Sequence, residues 1–315
     1  MTEQDKNSGL ASPEARALLA ELAAQGIPKL TRESLPQMRQ QSVDGYTPLA
    51  ERAVKRTGVT LRNLTIAGVD CIEVMPTRRI ADRTLIYCYG GGYVSGSAFL
   101  DLIISAPLAD LTGARVIAPN YRLAPEHVHP AAVDDGFAVY RAVAKETPAT
   151  SLAISGESAG GNLALAILQR AHRAGLAMPA AAALLSPWCD LGNRGDSHVV
   201  NDGGRDPTLD QAMIMAMSEL YTAGRAMDEP AVSPIYGTFG PWFPPAIITT
   251  GTRDLLMSQC IRLAGIMRAA GVSVDLRVHD GMWHVFEYYD ELPEAARSLG
   301  EIGAFLSAQF EAGDA

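Results

Sequence analysis

The sequence at residues 151–174 is SLAISGESAGGNLALAILQRAHRA. It predicts a buried strand over 151–155, a tight turn, and a helix over 160–174. The turn contains the pattern G-x-S-x-G, centred on Ser158, with glycines where Cβ atoms would clash. A Gly/Ser turn without chemical consequence is the alternative that these five residues alone leave open. Because this turn joins a strand to a helix, we expect the Ser158 hydroxyl to stand exposed above a sheet.

Apolar strands and intervening helices recur on both sides of this unit. Continuous apolar runs such as LIYCY at 85–89 and AIITT at 246–250 are typical of strands buried on both faces of a parallel sheet. This alternation predicts an α/β fold with a doubly wound sheet. The predicted strands lie at 84–89, 115–120, 151–155, 181–186, 246–251 and 273–279, and a further helix lies at 258–270.

Two segments do not follow this alternation. The N-terminal part predicts helices over 12–26 and 31–41, followed by a hairpin over 59–74. Residues 192–236 separate two strands and carry a helix of their own at 209–221. Such a long insertion is usually functional, and together with the N-terminal helices it could form a lid over the strand ends.

The composition of the 315 residues, 48% apolar and 19% charged, is that of a globular protein with a sizeable core. A net charge of −9 without a basic run gives no electrostatic footprint for nucleic acid and little attraction to a membrane surface. No stretch approaches the roughly 20 apolar residues of a spanning helix. The polar N-terminus MTEQDKNSGL predicts no signal peptide. Four cysteines without a CxxC motif then indicate a cytoplasmic protein with reduced thiols.

A serine hydroxyl is a weak nucleophile at neutral pH and needs a base, with a carboxylate behind that base. In enzymes with this type of turn, the chain order is serine, acid, histidine. His284, in the loop DGMWH after the last predicted strand, is the best placed of the six histidines. Asp254 follows the strand AIITTG, at the same sheet edge as Ser158. Its competitor Asp190 is interpreted as a cap for the inserted segment.

Acyl transfer also needs hydrogen-bond donors aimed at the developing oxyanion. The run YGGG at 89–92 directly follows a strand, and glycines let backbone N–H groups approach a ligand closely. The N–H of Ala159 would complete such a site. A nucleotide-binding oxidoreductase is the weaker interpretation, because Gly90, Gly92 and Gly96 are spaced one residue too widely. The next strand also ends without the acidic residue that would hold a ribose.

Six motifs occur in order over most of residues 59–290: YGGGYVSG, NYRLAPEHVHPAA, GESAGGN, SPW, GTRDLL and DGMWHVF. Together they resemble the hormone-sensitive-lipase-like family of α/β-hydrolases, in its bacterial carboxylesterase branch. The resemblance implies an α/β-hydrolase fold, with a mostly parallel central sheet flanked by helices and a helical cap. The functional residues that it implies are the nucleophile Ser158, the acid Asp254, the base His284 and the oxyanion donors Gly91, Gly92 and Ala159.

The resemblance also implies how the chain divides. Residues 51–191 and 237–315 would form the catalytic domain, and 1–50 with 192–236 a two-part cap. Related enzymes often pair through the edge of the last strand, so a homodimer is one expectation. The sequence contains no constellation of metal ligands, and no cofactor is implied.

The chain departs from the family pattern at two positions. Tyr89 stands where the family usually has histidine before the triple glycine, which affects the bracing of that loop. Glu157 stands where aspartate is more frequent, and its longer carboxylate could change its hydrogen bonds to neighbouring loops. His127, in the run APEH, matches a structural motif of the family rather than a catalytic one.

Apolar side chains close to the motifs predict the kind of substrate. Apolar walls with few polar groups suit an acyl chain or a small apolar alcohol. We therefore expect hydrolysis of short- to medium-chain acyl esters, with a lactone hydrolase as one alternative. A non-catalytic binding protein of the same fold is the other, although such homologues typically lose the base. The candidate pocket residues are Tyr93, Trp188, Met213, Met217, Trp283 and Phe286. The two methionines could equally be packing within the lid.

Overall fold

The structure is a computed structural model that describes residues 11–80 and 82–313. The N-terminal segment for which the sequence predicts no signal peptide lies outside these residues, as do the outer ends of the predicted segments 1–50 and 237–315. Across the described ranges, none of the helices combines the length and the apolar character that crossing a membrane requires.

One sheet of eight strands forms the centre of the described chain. The strands are β1 Thr60–Ile66, β2 Val69–Met75, β3 Thr84–Cys88, β4 Arg115–Pro119, β5 Leu152–Glu157, β6 Ala181–Leu185, β7 Ala246–Gly251 and β8 Val274–His279. Their order across the sheet is β1-β2-β4-β3-β5-β6-β7-β8. The pairs β1·β2 and β2·β4 are antiparallel and the other five pairs are parallel. The predicted α/β fold with a mostly parallel sheet is confirmed.

Helices cover this sheet and extend beyond it. They are α1 Pro13–Gln25, α2 Leu35–Thr57, α3 Leu102–Thr112, α4 Ala131–Glu146, α5 Ser158–Arg173, α6 Ser197–Val200, α7 Gln211–Thr222, α8 Met257–Ala269 and α9 Pro293–Gly313. The alternation is strict from β3 to β6, because neighbouring parallel strands need a crossover connection, usually a helix. The strands β3, β5, β6 and β7 are buried at every residue, which explains their continuous apolar character.

Helix α2 is the element that departs most from the sequence prediction. The predicted helix over 31–41 starts four residues early and ends far too soon, because α2 continues to Thr57. Gly45 and Pro48 are poor helix formers, so local propensity places an end near them. The helix persists because its Ala50 and Ala53 are fully buried and α2 packs along α3. Packing here overrides propensity.

The three candidate functional residues lie at the carboxyl edge of the sheet. Ser158 follows β5, Asp254 follows β7 and His284 follows β8. The order of β5, β6, β7 and β8 in the sheet brings these three loops side by side. Residues 192–236 leave the sheet at the carboxyl end of β6, so the insertion starts from this same edge. Ligands of open α/β sheets bind at such edges.

Candidate active site

Ser158 stands at the turn between β5 and α5. Its φ is +51°, a left-handed value that residues other than glycine rarely adopt. A Cβ atom at Gly160 would lie 2.0 Å from the carbonyl oxygen of Cys88, so the helix can start this close to β3 only with glycine there. The turn holds the Ser158 side chain at the sheet edge, on the wall of a cavity.

His284 lies between Ser158 and Asp254. Its Nε2 is 3.0 Å from Ser158 Oγ, and its Nδ1 is 3.1 Å from Asp254 Oδ1. The Asp254 carboxylate is fully buried and accepts two further hydrogen bonds, from the Thr250 hydroxyl at 2.8 Å and the Leu256 N–H at 2.8 Å. These distances are within the range of a nucleophile, its base and the acid that orients the base.

The charges of this group favour an imidazolium beside a carboxylate. Burial acts against a charged His284 ring, but the charge and hydrogen bond of Asp254, together with the charges of Asp206 and Glu287, outweigh burial and raise the pKa of His284. Burial acts to raise the pKa of Asp254 as well, yet the His284 ring lowers it overall. The paired state is the one that forms when a base removes a proton from serine.

The glycine loop after β3 faces the same serine. Gly91 and Gly92 line the cavity beside Ser158. Gly91 has a φ of +97°, and its carbonyl accepts the N–H of Ser95 at 3.0 Å, which curls the loop. The N–H of Ala159 belongs to the first turn of α5, where N–H groups have no partner within the helix. The three predicted donors therefore belong to the glycine loop on the cavity wall and to the residue directly after Ser158.

Tyr89 braces this loop through Tyr121. The Tyr89 hydroxyl donates to the Tyr121 carbonyl at 3.1 Å, and the Tyr121 hydroxyl donates to the Tyr89 carbonyl at 2.7 Å. The two rings stack with centroids 4.1 Å apart and planes 9° apart. Two reciprocal hydrogen bonds and a stacked pair hold the chain where the family usually has histidine. Tyr121 belongs to the motif NYRLAP, so the two motifs stabilise each other.

The Glu157 carboxyl group packs against Gly90 of the glycine loop. It shares the Tyr288 hydroxyl with Asp101, a second acid that the sequence analysis did not identify. The Tyr288 hydroxyl is 2.8 Å from Glu157 Oε1 and 2.7 Å from Asp101 Oδ1. Burial and the charge of Asp101 raise the pKa of Glu157, and burial raises that of Asp101 to about 6. Both buried carboxyl groups are therefore harder to ionise than carboxyl groups in water. No sequence pattern marks Asp101, which ends an ordinary loop.

A cavity of about 630 Å³ opens in front of Ser158. The N-terminal helices, the glycine loop and the insertion line it. Met213 and Met217 of α7 are on its wall, and Met217 Sδ would lie 2.2 Å from a Cβ atom at Gly92. Both predicted methionines thus reach the site. Apolar lining residues that the sequence analysis did not single out include Leu18, Leu22, Met38, Tyr46, Leu49 and Leu209.

The four predicted aromatic pocket residues lie elsewhere. Tyr93, Trp188, Trp283 and Phe286 are at most 1% exposed and are not among the described residues that line the cavity. Tyr93, for example, stacks on Tyr221 of α7 with ring centroids 3.8 Å apart. Proximity to a motif along the chain fixes the position of a residue but not the direction of its side chain. These rings pack in the core beneath the site instead.

Asp190, the competing acid, lies apart from His284. Its carboxylate accepts hydrogen bonds from the Gly192 N–H at 3.0 Å and the Tyr236 hydroxyl at 2.8 Å. It also forms an ion pair with Arg262 at 2.9 Å. These contacts tie together the two ends of the insertion, in keeping with the interpretation of Asp190 as a cap.

Known proteins match this chain over most of its length. A family model described as alpha/beta hydrolase fold matches residues 85–288. An acetyl-hydrolase of Streptomyces hygroscopicus is 36% identical over 259 residues, which are 82% of this chain and 86% of that protein. The crystal structure of the esterase EstE5 soaked with p-nitrophenyl butyrate matches with a TM-score of 0.87 and 32% identity, over 96% of this chain and 100% of that chain.

A hormone-sensitive lipase from a metagenome library matches with a TM-score of 0.86 and 35% identity, over 94% of this chain and 98% of that chain. The family model spans more than half of the chain, and these relatives match over most of their own length. The chain therefore belongs to the hormone-sensitive-lipase-like family of α/β-hydrolases, in its bacterial branch of carboxylic ester hydrolases.

Proposed function

We propose that this carboxylesterase hydrolyses short- to medium-chain acyl esters with Ser158 as nucleophile, His284 as base and Asp254 as the acid that orients it. The observation that carries the proposal is the continuous chain from Ser158 Oγ through the His284 ring to Asp254. His284 Nε2, 3.0 Å from the hydroxyl oxygen of Ser158, is placed to take the hydroxyl proton.

The first half of the reaction acylates the enzyme. His284 Nε2 takes the hydroxyl proton as Ser158 Oγ attacks the ester carbonyl carbon. The N–H groups of Gly91, Gly92 and Ala159 stabilise the negative charge that develops on the carbonyl oxygen. The intermediate collapses when His284 returns the proton to the departing alkoxide. Free alcohol leaves, and the acyl group stays on Ser158 as an ester.

The second half removes that acyl group with water. His284 takes a proton from water, whose oxygen attacks the acyl carbon, and the same N–H groups hold the second oxyanion. Collapse breaks the bond to Ser158 Oγ, which recovers its proton from His284. The carboxylic acid leaves, and the enzyme returns to its starting state.

The cavity and the relatives support short to medium acyl chains. A volume of about 630 Å³ is in the range of small-molecule sites, and Met213, Met217 and Leu209 give it an apolar side. One relative is named an acetyl-hydrolase, and a solved relative was soaked with p-nitrophenyl butyrate. Burial of apolar acyl surface is the source of binding free energy in such a site.

The test is turnover of p-nitrophenyl acetate, butyrate, octanoate and palmitate, together with labelling by a fluorophosphonate. We expect the best kcat/KM on butyrate or octanoate, a far lower value on palmitate, and one phosphonate adduct on the peptide that contains Ser158. Inclusion of γ-valerolactone in the same assay separates the lactone hydrolase alternative. Absence of both turnover and adduct would favour the non-catalytic binding protein.

Met217→Ala is expected to shift the chain-length preference. The Met217 side chain contacts the glycine loop, so its truncation lengthens the space next to Ser158. The kcat/KM on octanoate relative to butyrate should rise about tenfold, which is the lower end of what one methylene group contributes in an apolar pocket. Met215→Ala is the matched control, because Met215 is on the same helix but not on the cavity wall. An unchanged ratio in Met217→Ala contradicts an acyl pocket on this side.

We further propose that the protein works in the cytoplasm and forms a homodimer. The four cysteines are buried and carry no disulfide, which supports a reducing compartment. Strand β8 is an edge of the sheet, and Val278 on it is exposed, which supports pairing of two copies there. Cell fractionation and light scattering measure the two properties. An exclusively monomeric species at micromolar concentration contradicts the second.

A further inference from the structure

Asp206 belongs to the insertion, ahead of α7, and it is fully buried. Its Oδ2 accepts the N–H of Leu255 at 2.9 Å and the N–H of His284 at 3.3 Å. Its Oδ1 accepts the N–H and the hydroxyl of Thr208 at 3.0 and 2.9 Å. The Asp206 carboxylate therefore binds the backbone of two loops. In one loop it binds Leu255, next to Asp254, and in the other it binds His284 itself.

A neighbouring side chain of the insertion holds the same loop from its other face. Asn201 Nδ2 donates to the carbonyl oxygens of Asp254 at 2.9 Å and Thr252 at 3.2 Å. The Asp206 N–H in turn donates to the Asn201 carbonyl at 3.0 Å. The peptide group between Asp254 and Leu255 is therefore bound by the insertion at both its C=O and its N–H.

Asp206 also acts on His284 by its charge. The charges of three carboxyl groups, those of Asp254, Asp206 and Glu287, favour the imidazolium, and that of Asp254 contacts the ring. Burial raises the pKa of Glu287. Burial and the charge of Asp254 raise the pKa of Asp206 to about 6, so it remains ionised at neutral pH. Tyr289 also faces Asp206, and its raised pKa, caused first by burial, keeps it neutral.

We propose that Asp206 is a positioning residue of the ester hydrolase, through which the insertion fixes the distance between Asp254 and His284 and stabilises the protonated ring. This inference rests on the proposed function of Ser158, His284 and Asp254. Asp206 touches no reacting atom, since its partners near the site are the backbone N–H groups of Leu255 and His284. The insertion is then a part of the catalytic machinery as well as a cover for it.

Asp206→Asn tests both parts of the proposal. The substituted side chain retains one oxygen for the Leu255 and His284 N–H groups but loses the charge and presents a donor to Thr208. We expect kcat on p-nitrophenyl butyrate to fall about 10- to 100-fold, as for a small misplacement of a catalytic group, with KM changed less. Loss of the charge also lowers the pKa of His284, so the acidic limb of kcat/KM moves to lower pH. A loss of folded protein would lower activity without moving that limb.

Asp196→Asn is the control for the change in net charge. Asp196 lies in the same insertion, is exposed, and has no side-chain hydrogen bond among the described residues. It should leave kcat and the pH profile unchanged. Wild-type kcat and an unmoved acidic limb in Asp206→Asn would overturn the proposal while the proposed function stands.

A titration that needs no turnover separates the inference from the proposed function. In the Ser158→Ala background, the His284 ring signals followed by NMR report its pKa directly. Addition of Asp206→Asn should lower that pKa, and an unchanged value overturns the proposal even if no ester is hydrolysed. If Asp206→Asn does not fold, Thr208→Val removes one donor to the carboxylate. The His284 pKa should then move in the same direction by a smaller amount, and no movement again overturns the proposal.

Discussion

Ser158→Ala is expected to lower kcat on p-nitrophenyl butyrate by about 10⁶-fold, which leaves only the turnover due to binding and the oxyanion donors. The reason is geometric, because Ser158 Oγ is the hydrogen-bond partner of His284 Nε2 at 3.0 Å. The substitution removes one buried oxygen and no apolar contact, so thermal unfolding should change little. Initial rates at saturating ester, with the melting temperature measured alongside, give the comparison.

Ser151→Ala is the matched control for this variant. Ser151 immediately precedes β5, at the opposite end from Ser158, and no side-chain hydrogen bond of Ser151 is found among the described residues. It should keep wild-type kcat. If Ser158→Ala retained even one percent of turnover after the protein had been purified free of host esterases, another nucleophile would have to be sought.

Asp254→Asn is expected to lower kcat by about 10⁴-fold. The introduced amide has one acceptor oxygen where the carboxylate has two, and it cannot serve His284 Nδ1, the Leu256 N–H and the Thr250 hydroxyl together. The ring therefore loses the partner that fixes its tautomer, and its pKa falls with the loss of the facing charge. The acidic limb of the pH–rate profile moves to lower pH, and its displacement is read from kcat/KM measured across that limb.

Asp190→Asn distinguishes the two acids that the sequence offers. Its side chain contacts Arg262, Tyr236 and Gly192, which hold the insertion rather than the base. We expect kcat near that of wild type and a lower melting temperature, because Arg262 and the Tyr236 hydroxyl lose a charged acceptor that is itself buried. The reverse result, with Asp190→Asn inactive and Asp254→Asn active, would exchange the roles assigned to the two residues.

Local patterns account for most of the fold and for the three residues brought together at Ser158. Each strand from β3 to β8 has a continuous or alternating apolar run. Asp254 and His284 could be found because each follows such a strand at the carboxyl edge. The chain order of serine, acid and histidine then leaves few choices.

The remainder of the site depends on contacts between distant segments. Asp101 and Asp206 lie in loops without a motif, and only the folded chain brings them to Glu157 and to His284. Packing likewise sets the direction of the Trp283 side chain. Trp283 immediately precedes His284, but its side chain belongs to a small separate core cluster. The periodicity of the sequence predicts neither contacts between distant loops nor the direction of a buried side chain.

Asn201 and Asp206 bind the loop after β7. The inserted segment therefore has two parts, which differ in how freely their sequences can change during evolution. Residues 197–208 include Asn201, Asp206 and its donor Thr208, so substitutions there would have to be accompanied by changes near Leu255. Residues 209–222 supply Leu209, Met213 and Met217 to the cavity wall. Selection can alter that wall without disturbing proton transfer. A chimera with an exchanged 209–222 should therefore acquire a new range of esters and keep its turnover machinery, whereas exchange of the whole insertion should lose both.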